Sequence, residues 1–355
     1  MPVPYPTEYR VGEVRISPNL VLSPMEGVTD LTFRRLVRSI GGVGLTVTEF
    51  VPSAGLSRGD RKVQEMVQFD PDERPVAVQI FGRDPTVMAE GARMAQDLGA
   101  TLVDINMGCP SKKVCAHSGG SALMKEPDLV RDIVRATVAA VDIPVTVKMR
   151  SGFDQDSRNA PEIAWIAQEE GAGAVAIHWR TREDKYSGER AVDRIAEAKR
   201  RLQIPVLANG DIVDIASAEK MFVDTGCDGI LVGRGAIQNP WLLLQISQWQ
   251  RGEAPTHVDA RERRRVMRDY AAGMTRQMRT LEGALGRFKM LSNQFTRSLP
   301  AGKAFRSRVL HSESLDRALE EVDIYFERLG RHEAGSEAVF EDYVASTHVR
   351  KGKAA

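Results

Sequence analysis

Eight short β-rich runs recur along this chain, each closing on Gly, Pro, Asn or a charged residue and each followed by a helix-length segment. They are LVLSPMEG (Leu20–Gly27), GLTVTEF (Gly44–Phe50), VAVQIFG (Val76–Gly82), LVDINMG (Leu102–Gly108), VTVKMR (Val145–Arg150), AVAIHWR (Ala174–Arg180), PVLANGD (Pro205–Asp211) and GILVGRG (Gly229–Gly235). Nearly continuous apolar strands that alternate with amphipathic helices imply a parallel sheet covered on its outer face. The connecting segments carry start signals, with Thr29 or Asp30 before LTFRRLVRSI, Asp84-Pro85 before TVMAEGARMAQDL and Pro127-Asp128 before LVRDIVRATVAAV. Several close on glycine, at Gly41-Gly42, Gly99, Gly171 and Gly226. Eight such units in about 240 residues predict a (β/α)8 TIM barrel. A doubly wound open sheet normally carries a Gly-rich turn after its first strand, and SPMEGVTD is no such turn.

The composition changes after NPWLLLQISQWQRGEAP. Between Arg251 and Leu310 fourteen Lys and Arg face five Asp and Glu, in a chain whose net charge is only +1. The pattern there stays helical, and the stretch HSESLDRALEEVDIYFERL then turns acidic and amphipathic, with Ser312 or Ser314 as N-cap. The expected organisation of the 355 residues is a barrel over residues 1–245, an all-α domain over 251–335 and a frayed tail over 336–355. Three cysteines, Cys109, Cys115 and Cys227, are too few and too odd in number for a disulfide framework, and they suit a reducing compartment. No secretory signal opens the chain and no window is apolar for the roughly 18 residues a spanning helix needs. The expectation is therefore a cytoplasmic protein without a membrane partner.

In this architecture the active site lies at the carboxyl ends of the strands. Those ends carry Pro24, Met25 and Glu26; Glu49; Gln79; Asn106 and Cys109; Lys148 and Arg150; His178 and Arg180; Asn209 and Asp211; Gly233 and Arg234. Lone Asn and Gln residues at such ends often do no more than cap helices. Lys148 is different, because an ammonium following alternate apolar residues of a central strand must point into the barrel mouth and meet an anion or polarised atom there. Gly210, Gly233 and Gly235, with Arg234, fit the backbone cradle that this fold uses for phosphate groups.

Cys109 follows a glycine at a strand end and precedes Pro110, which predicts a thiol on a mobile loop exposed to the mouth. A zinc site is disfavoured, since Cys109, Cys115 and His117 lack close ligand pairs and a fourth ligand; no structural metal is expected. Cys227, in a helix-to-strand loop, reads as a buried structural thiol. Cys115 reads as filler, and Lys112, Lys113 and His117 to Gly120 continue the same flexible loop.

Taken in order, SPMEGVTD, VQIFG, DINMGCPSKKV with GGSALM, VTVKMR, IHWRTRE, LANGDI and VGRGAIQNPW resemble the tRNA-dihydrouridine synthases. The likeness runs from Val21 to Trp241 and continues more weakly through GRFKMLSNQFTRSLPAGKAFRSRVLHSESL. It implies FMN as cofactor, NADPH or NADH as reductant and tRNA as partner of a monomeric oxidoreductase. It implies that Pro24, Met25 and Glu26 pack on the isoalloxazine, and that Gln79, Lys148 and His178 contact the ring. Asn209, Gly210, Asp211, Gly233 and Arg234 would then serve the ribityl and phosphate end. Asn106 and Arg180 would bind substrate, and Cys109 would protonate C5 of a uracil whose C6 receives hydride. An ordinary thiol titrates near about 8.5, so it holds its proton at neutral pH, as a donor should. Trp179 departs from the resemblance, standing where a small residue is expected after the histidine. The basic helical segment would hold the tRNA backbone. An FMN barrel acting on a free pyrimidine would share the flavin site without needing that segment, and an RNA chaperone on a barrel scaffold would need no flavin.

Overall fold

The structure is a computed structural model that describes residues 3–111, 114, 119–184 and 188–345. Lys112, Lys113, Cys115, His117 and Ser118 lie outside those residues, so the expectations placed on them are not addressed by it.

Each of the eight runs holds a strand. A hairpin of β1 (Tyr9–Val11) and β2 (Val14–Ile16) comes first, and the runs then supply β3 (Leu20–Leu22), β4 (Leu45–Val47), β6 (Val76–Phe81), β7 (Leu102–Met107), β8 (Val145–Arg150), β9 (Ala174–His178), β10 (Val206–Asn209) and β11 (Gly229–Val232). A two-residue strand, β5 (Val51–Pro52), pairs with β6 beyond the end of β4. All neighbouring barrel strands are parallel, and β4 pairs with both β3 and β6, which closes the ring. The (β/α)8 barrel expected from the alternation is thus present.

The helix starts are set by the side chains the sequence suggested. Asp30 accepts from the Phe33 amide at 2.9 Å, Asp84 accepts from Val87 at 3.0 Å, and Pro85 and Pro127 occupy first-turn positions where no amide is needed. Along each strand, outward residues pack under helices and inward residues fill the barrel. In β8, Val145, Val147 and Met149 are buried on the outer side, while Thr146 and Lys148 line an interior cavity with Tyr9 and Asp104. The hairpin plugs the other end of that interior. Tyr9, Val11 and Ile16 join one apolar cluster with Val21, Val47, Ala77 and Leu231.

Two compact units are present, residues 1–236 with 242–255, and residues 237–241 with 256–355. The second is all helical, with long helices at Ala260–Gln277, Leu281–Phe295, Gly302–Leu310 and Leu315–Glu333 capped by Asp259, Thr280 and, for the last, Ser314. Phe288, Phe295, Phe305 and Tyr325 are fully buried in it. Trp241 belongs to this unit and packs 5.9 Å from the Phe295 ring. Tyr343, placed in the expected frayed tail, packs within this unit. Tyr343 is 3% exposed, and Arg308 stacks on its ring at 4.3 Å and donates to its carbonyl, because the helical core needs that aromatic as a lid.

Candidate functional site

Strand register brings the candidates into layers at the carboxyl ends. Gln79, Asp104 and Thr146 are in register across β6, β7 and β8; Asn106 and Lys148 come two residues later, and Arg150, His178 and Asn209 beyond them. A period-two strand turns alternate residues to the same side, so one residue of each pair points inward.

A hydrogen-bonded chain ties the first two layers together. Thr146 donates to Asp104 at 2.6 Å, Gln79 Nε2 donates to Asp104 at 2.5 Å, and Asn106 Nδ2 donates to Gln79 Oε1 at 2.7 Å. The carbonyl of Asn106 accepts from the amides of Gly108 and Cys109, at 3.0 and 2.9 Å. Asn106 is 6% exposed, so its main work is to hold the turn that carries Cys109. Asp104 was not singled out from the sequence, although it sits two residues before Asn106 on the same strand face. Burial pushes its carboxyl up, against the opposing effects of Thr146, Gln79 and Lys148.

Cys109 is neither exposed nor on a loose loop. It is 7% exposed, its amide is held by Asn106, and its carbonyl accepts from the Ser121 amide and hydroxyl at 3.1 and 2.9 Å. Gly120, at φ +58°, comes so close that a Cβ there would lie 3.2 Å from the Cys109 Cβ. The returning Gly119–Ser121 segment packs against the Cys109 carbonyl and Cβ, and a strand-end position alone did not reveal that contact. Neither Cys109 nor Cys227 forms a disulfide; burial drives the Cys227 thiol up to about 12, as suits a structural position.

Lys148 is only partly exposed, and among the described residues its ammonium has neither a hydrogen bond nor an ion pair. Burial, then the charge of Arg150, push it down to about 8, although Asp104 and Cys109 pull the other way. His178 Nδ1 accepts from the Arg180 amide at 3.1 Å. Burial and the charges of Arg150, Lys148, Arg180 and Arg234 push its pKa well below the ordinary value, so the ring is neutral and its proton sits on Nε2.

Asn209 and Asp211 do different jobs. Asn209 Nδ2 donates to the Leu231 carbonyl at 2.9 Å and locks β10 to β11. Asp211, at φ +43°, accepts from Arg180 at 2.6 Å and Arg234 at 2.7 Å, with Arg190 at 3.7 Å. Burial works to raise this carboxyl, but the Arg180 hydrogen bond and the three guanidinium charges hold it below the usual range. Arg180, expected at the substrate, is 4% exposed and spends Nη2 on Asp211 and Nε on the Gly188 carbonyl. It belongs to the Asp211 cluster because its strand-end position curls it under the loop that follows β9. Arg190 was missed altogether, since it lies twelve residues past the end of β9.

Gly210 has φ +139°, and a Cβ there would lie 2.4–2.7 Å from Nε1, Cε2 and Cδ1 of Trp179. Both the conformation and the indole demand glycine. Trp179 therefore packs against the adjacent strand end and does not stand free in the mouth. On the first-strand loop, Thr29 holds the Met25 backbone through its amide and carbonyl, Pro24 and Met25 are half-buried, and Glu26 is exposed. Gly233 lies close by, since a Cβ on it would come 3.6 Å from Met25 Sδ. No group of three or more His, Cys, Asp or Glu among the described residues is arranged to hold a metal ion.

Of the cations between Arg251 and Leu310, Arg251 pairs with Glu253 in the first unit, and in the helical unit Arg264 and Arg268 pair with Asp323, Arg265 with Glu262 and Asp269, and Arg308 with Glu321. Arg276, Arg297 and Lys303 are exposed and Lys289 half-exposed, and none of these has an ion pair among the described residues. No described helix is long and apolar enough to cross a membrane.

Comparison with known proteins agrees with the site. A family model described as "Dihydrouridine synthase (Dus)" matches residues 21–329. The chain is 43% identical over 266 residues to tRNA-dihydrouridine synthase B of Pseudomonas syringae, covering 75% of this chain and 79% of that one. It is 45% identical over 240 residues to tRNA-dihydrouridine synthase B of Xanthomonas campestris, covering 68% of this chain and 72% of that one. Among solved structures, a 2-naphthoyl-CoA reductase shares the fold with a TM-score of 0.51 at 13% identity, over 69% of this chain and 52% of that one. The chain belongs to the dihydrouridine synthase family and is a flavin-dependent oxidoreductase.

Proposed function

We propose that this protein reduces the C5=C6 bond of a uridine in tRNA, with FMN as its cofactor and NADPH or NADH as the source of electrons. The observation that carries this reading is Asn106, which clamps the Cys109 amide just past the end of β7 and is in register with Lys148 on β8, an ammonium with no ion pair among the described residues. The printed names of the relatives supply tRNA as substrate.

The residues fit a flavin. An ammonium with no ion pair among the described residues, a neutral His178 presenting an Nε2 donor, and a Gln79 amide whose orientation Asp104 fixes together suit the polar edge of an isoalloxazine. The glycine at 210 and the arginine surplus around Asp211 suit its phosphate end. Bound FMN, once reduced by the nicotinamide, supplies hydride to C6 of the uracil.

This chain's residues supply the rest. Lys148 would hold positive charge beside a bound flavin and so favour its anionic reduced state. Asn106 fixes the Cys109 backbone, and the Cys109 thiol gives its proton to C5 as the general acid. The target base must leave its stack to reach a buried thiol. Arg276, Lys289, Arg297 and Lys303 offer the sequence-independent phosphate contacts that hold the RNA.

The test separates the two thiols of one loop. Cys109→Ala protein should keep its yellow flavin and its oxidation of NADPH by oxygen, and should lose dihydrouridine formation by about a hundredfold or more, the usual worth of a general acid. Cys115→Ala should form dihydrouridine at close to the normal rate. Equal losses in both variants defeat the assignment, and protein that takes up no FMN defeats the whole reading.

A further inference from the structure

Two buried donors beside the Asp211 cluster have no acceptor among the described residues. Trp179 is 7% exposed and Arg180 4% exposed, yet Trp179 Nε1 and Arg180 Nη1 are both buried without a hydrogen-bond partner among the described residues. A buried donor left unsatisfied is costly, and native structures keep few of them. Two such donors on consecutive residues of one strand end point to a missing acceptor.

Their surroundings say what kind. Nε1 is the heavy atom nearest to where a Cβ on Gly210 would stand, at 2.4 Å, so the polar edge of the indole lies over a strand-end residue that has no side chain. Arg190 stacks 5.2 Å above the Trp179 ring while reaching to within 3.7 Å of Asp211. Arg180, Arg190 and Arg234 bring three positive charges and Asp211 one negative, a surplus of two. A phosphate monoester carries roughly −1.5 to −2 at neutral pH and offers three acceptor oxygens. A carboxylate or a phosphodiester carries half that charge. A diester in an RNA chain would also need to bring a sugar on each side into a place where both donors are buried.

We propose that the indole N–H of Trp179 is a phosphate donor, hydrogen-bonding the phosphate monoester of bound FMN together with Arg180 Nη1. This inference rests on the flavin reading above, and it gives a role to the one strand-end residue at which this chain departs from the resemblance. Trp179 is in this account a binding residue for the cofactor's far end, remote from the reacting atoms.

The experiment compares two ligands that differ only by the phosphate. Full-length protein stripped of flavin is titrated with FMN or with riboflavin, and binding is read from quenching of flavin fluorescence. Trp179→Phe keeps a ring against Gly210 and removes the N–H. It should raise the Kd for FMN about tenfold and leave that for riboflavin unchanged, the effect expected for one hydrogen bond to a charged group. An unchanged FMN Kd overturns the inference, as does an equal loss for both ligands, which would report ring packing alone. Weakened tRNA binding with intact FMN binding overturns it in favour of an RNA phosphate. A second measurement needs no variant: in wild-type protein carrying 15N-indole tryptophan, one of the four indole N–H signals should shift on addition of FMN and stay in place with riboflavin. Four unmoved signals overturn the proposal. Wild-type protein that binds neither flavin removes the flavin reading as well, whereas normal wild-type binding with no Trp179 effect removes only this step.

Discussion

Arg34 and Arg180 are both buried arginines beside a carboxylate, 0% and 4% exposed, and they are built on opposite plans. Arg34 meets Glu73 through Nε at 2.5 Å, gives Nη1 to the Thr29 carbonyl and Nη2 to the Gln68 carbonyl, and Glu73 also accepts from Thr46. Every nitrogen has a partner and the charges sum to zero. Around Asp211 three guanidinium groups share one carboxylate, Arg180 Nη1 is orphaned, and nearby Lys148 has no counter-ion among the described residues. The first network is complete in the protein alone, as a structural tie must be. The second becomes complete only with an anion, and that surplus separates a site from a strut.

The contrast is broken most directly by truncating the carboxylates. Glu73→Ala leaves Arg34 charged, dry and unpaired, and should cost about 3–5 kcal/mol, a large share of a typical domain's stability. Asp211→Ala should cost clearly less in flavin-free protein. The Arg190 and Arg234 side chains are 60% and 49% exposed and recover water when their partner goes. Urea unfolding of the two variants checks this, and equal losses would erase the distinction.

A smaller effect, of opposite sign, is expected at Lys148. Its pKa falls from the ordinary 10.5 to about 8 on folding, so the unfolded chain binds the proton more tightly. The folded state is therefore penalised in full below pH 8, and the penalty fades as pH rises from 8 towards 10.5. Lys148→Met should stabilise flavin-free protein by about 1–2 kcal/mol at pH 7, a gain that shrinks to nothing near pH 10.5. The same variant should lose the ability to favour reduced flavin. A stability loss at pH 7 would show that Lys148 is a structural ion like Arg34. Melting temperatures at three pH values decide the matter.

These networks also mark where sequence reading stopped. The eight strands were legible because each is a short apolar run bounded by glycine, proline or charge, and β8 runs from Val145 to Arg150 as VTVKMR suggested. Lys148 was legible because a lysine among alternating apolar residues leaves only one direction to point. The Arg34–Glu73 tie was not, since its partners lie 39 residues apart and neither interrupts a local pattern. Nor were the hairpin plug, the two-residue β5 or the Gly119–Ser121 contact with Cys109, all of which depend on what the closed ring brings together. Asn106 and Cys109 could be picked out as a pair from DINMGCP. That Asn106 holds the turn, and that Asp104 orients Gln79 behind it, required the register of three strands.

The smallest expected effect carries the contrast into the helical unit. Asp323 bridges Arg264 and Arg268 at 2.8 Å each, but its side chain is 36% exposed and theirs are 44% and 46% exposed. Exposed pairs of this kind are worth at most about 1 kcal/mol, because water already solvates both charges. Asp323→Asn should therefore change stability by less than about 1 kcal/mol, far below the cost of Glu73→Ala. It also releases two guanidinium groups that were neutralised. If the unpaired cations hold the tRNA backbone, the variant should bind tRNA more tightly at low salt, and the slope of log affinity against log salt should steepen by up to about two contacts. Filter binding across a salt series measures both quantities. An unfolded helical unit would place Asp323 with Glu73 as a structural ion, and an unchanged slope would mean that RNA contacts this unit elsewhere.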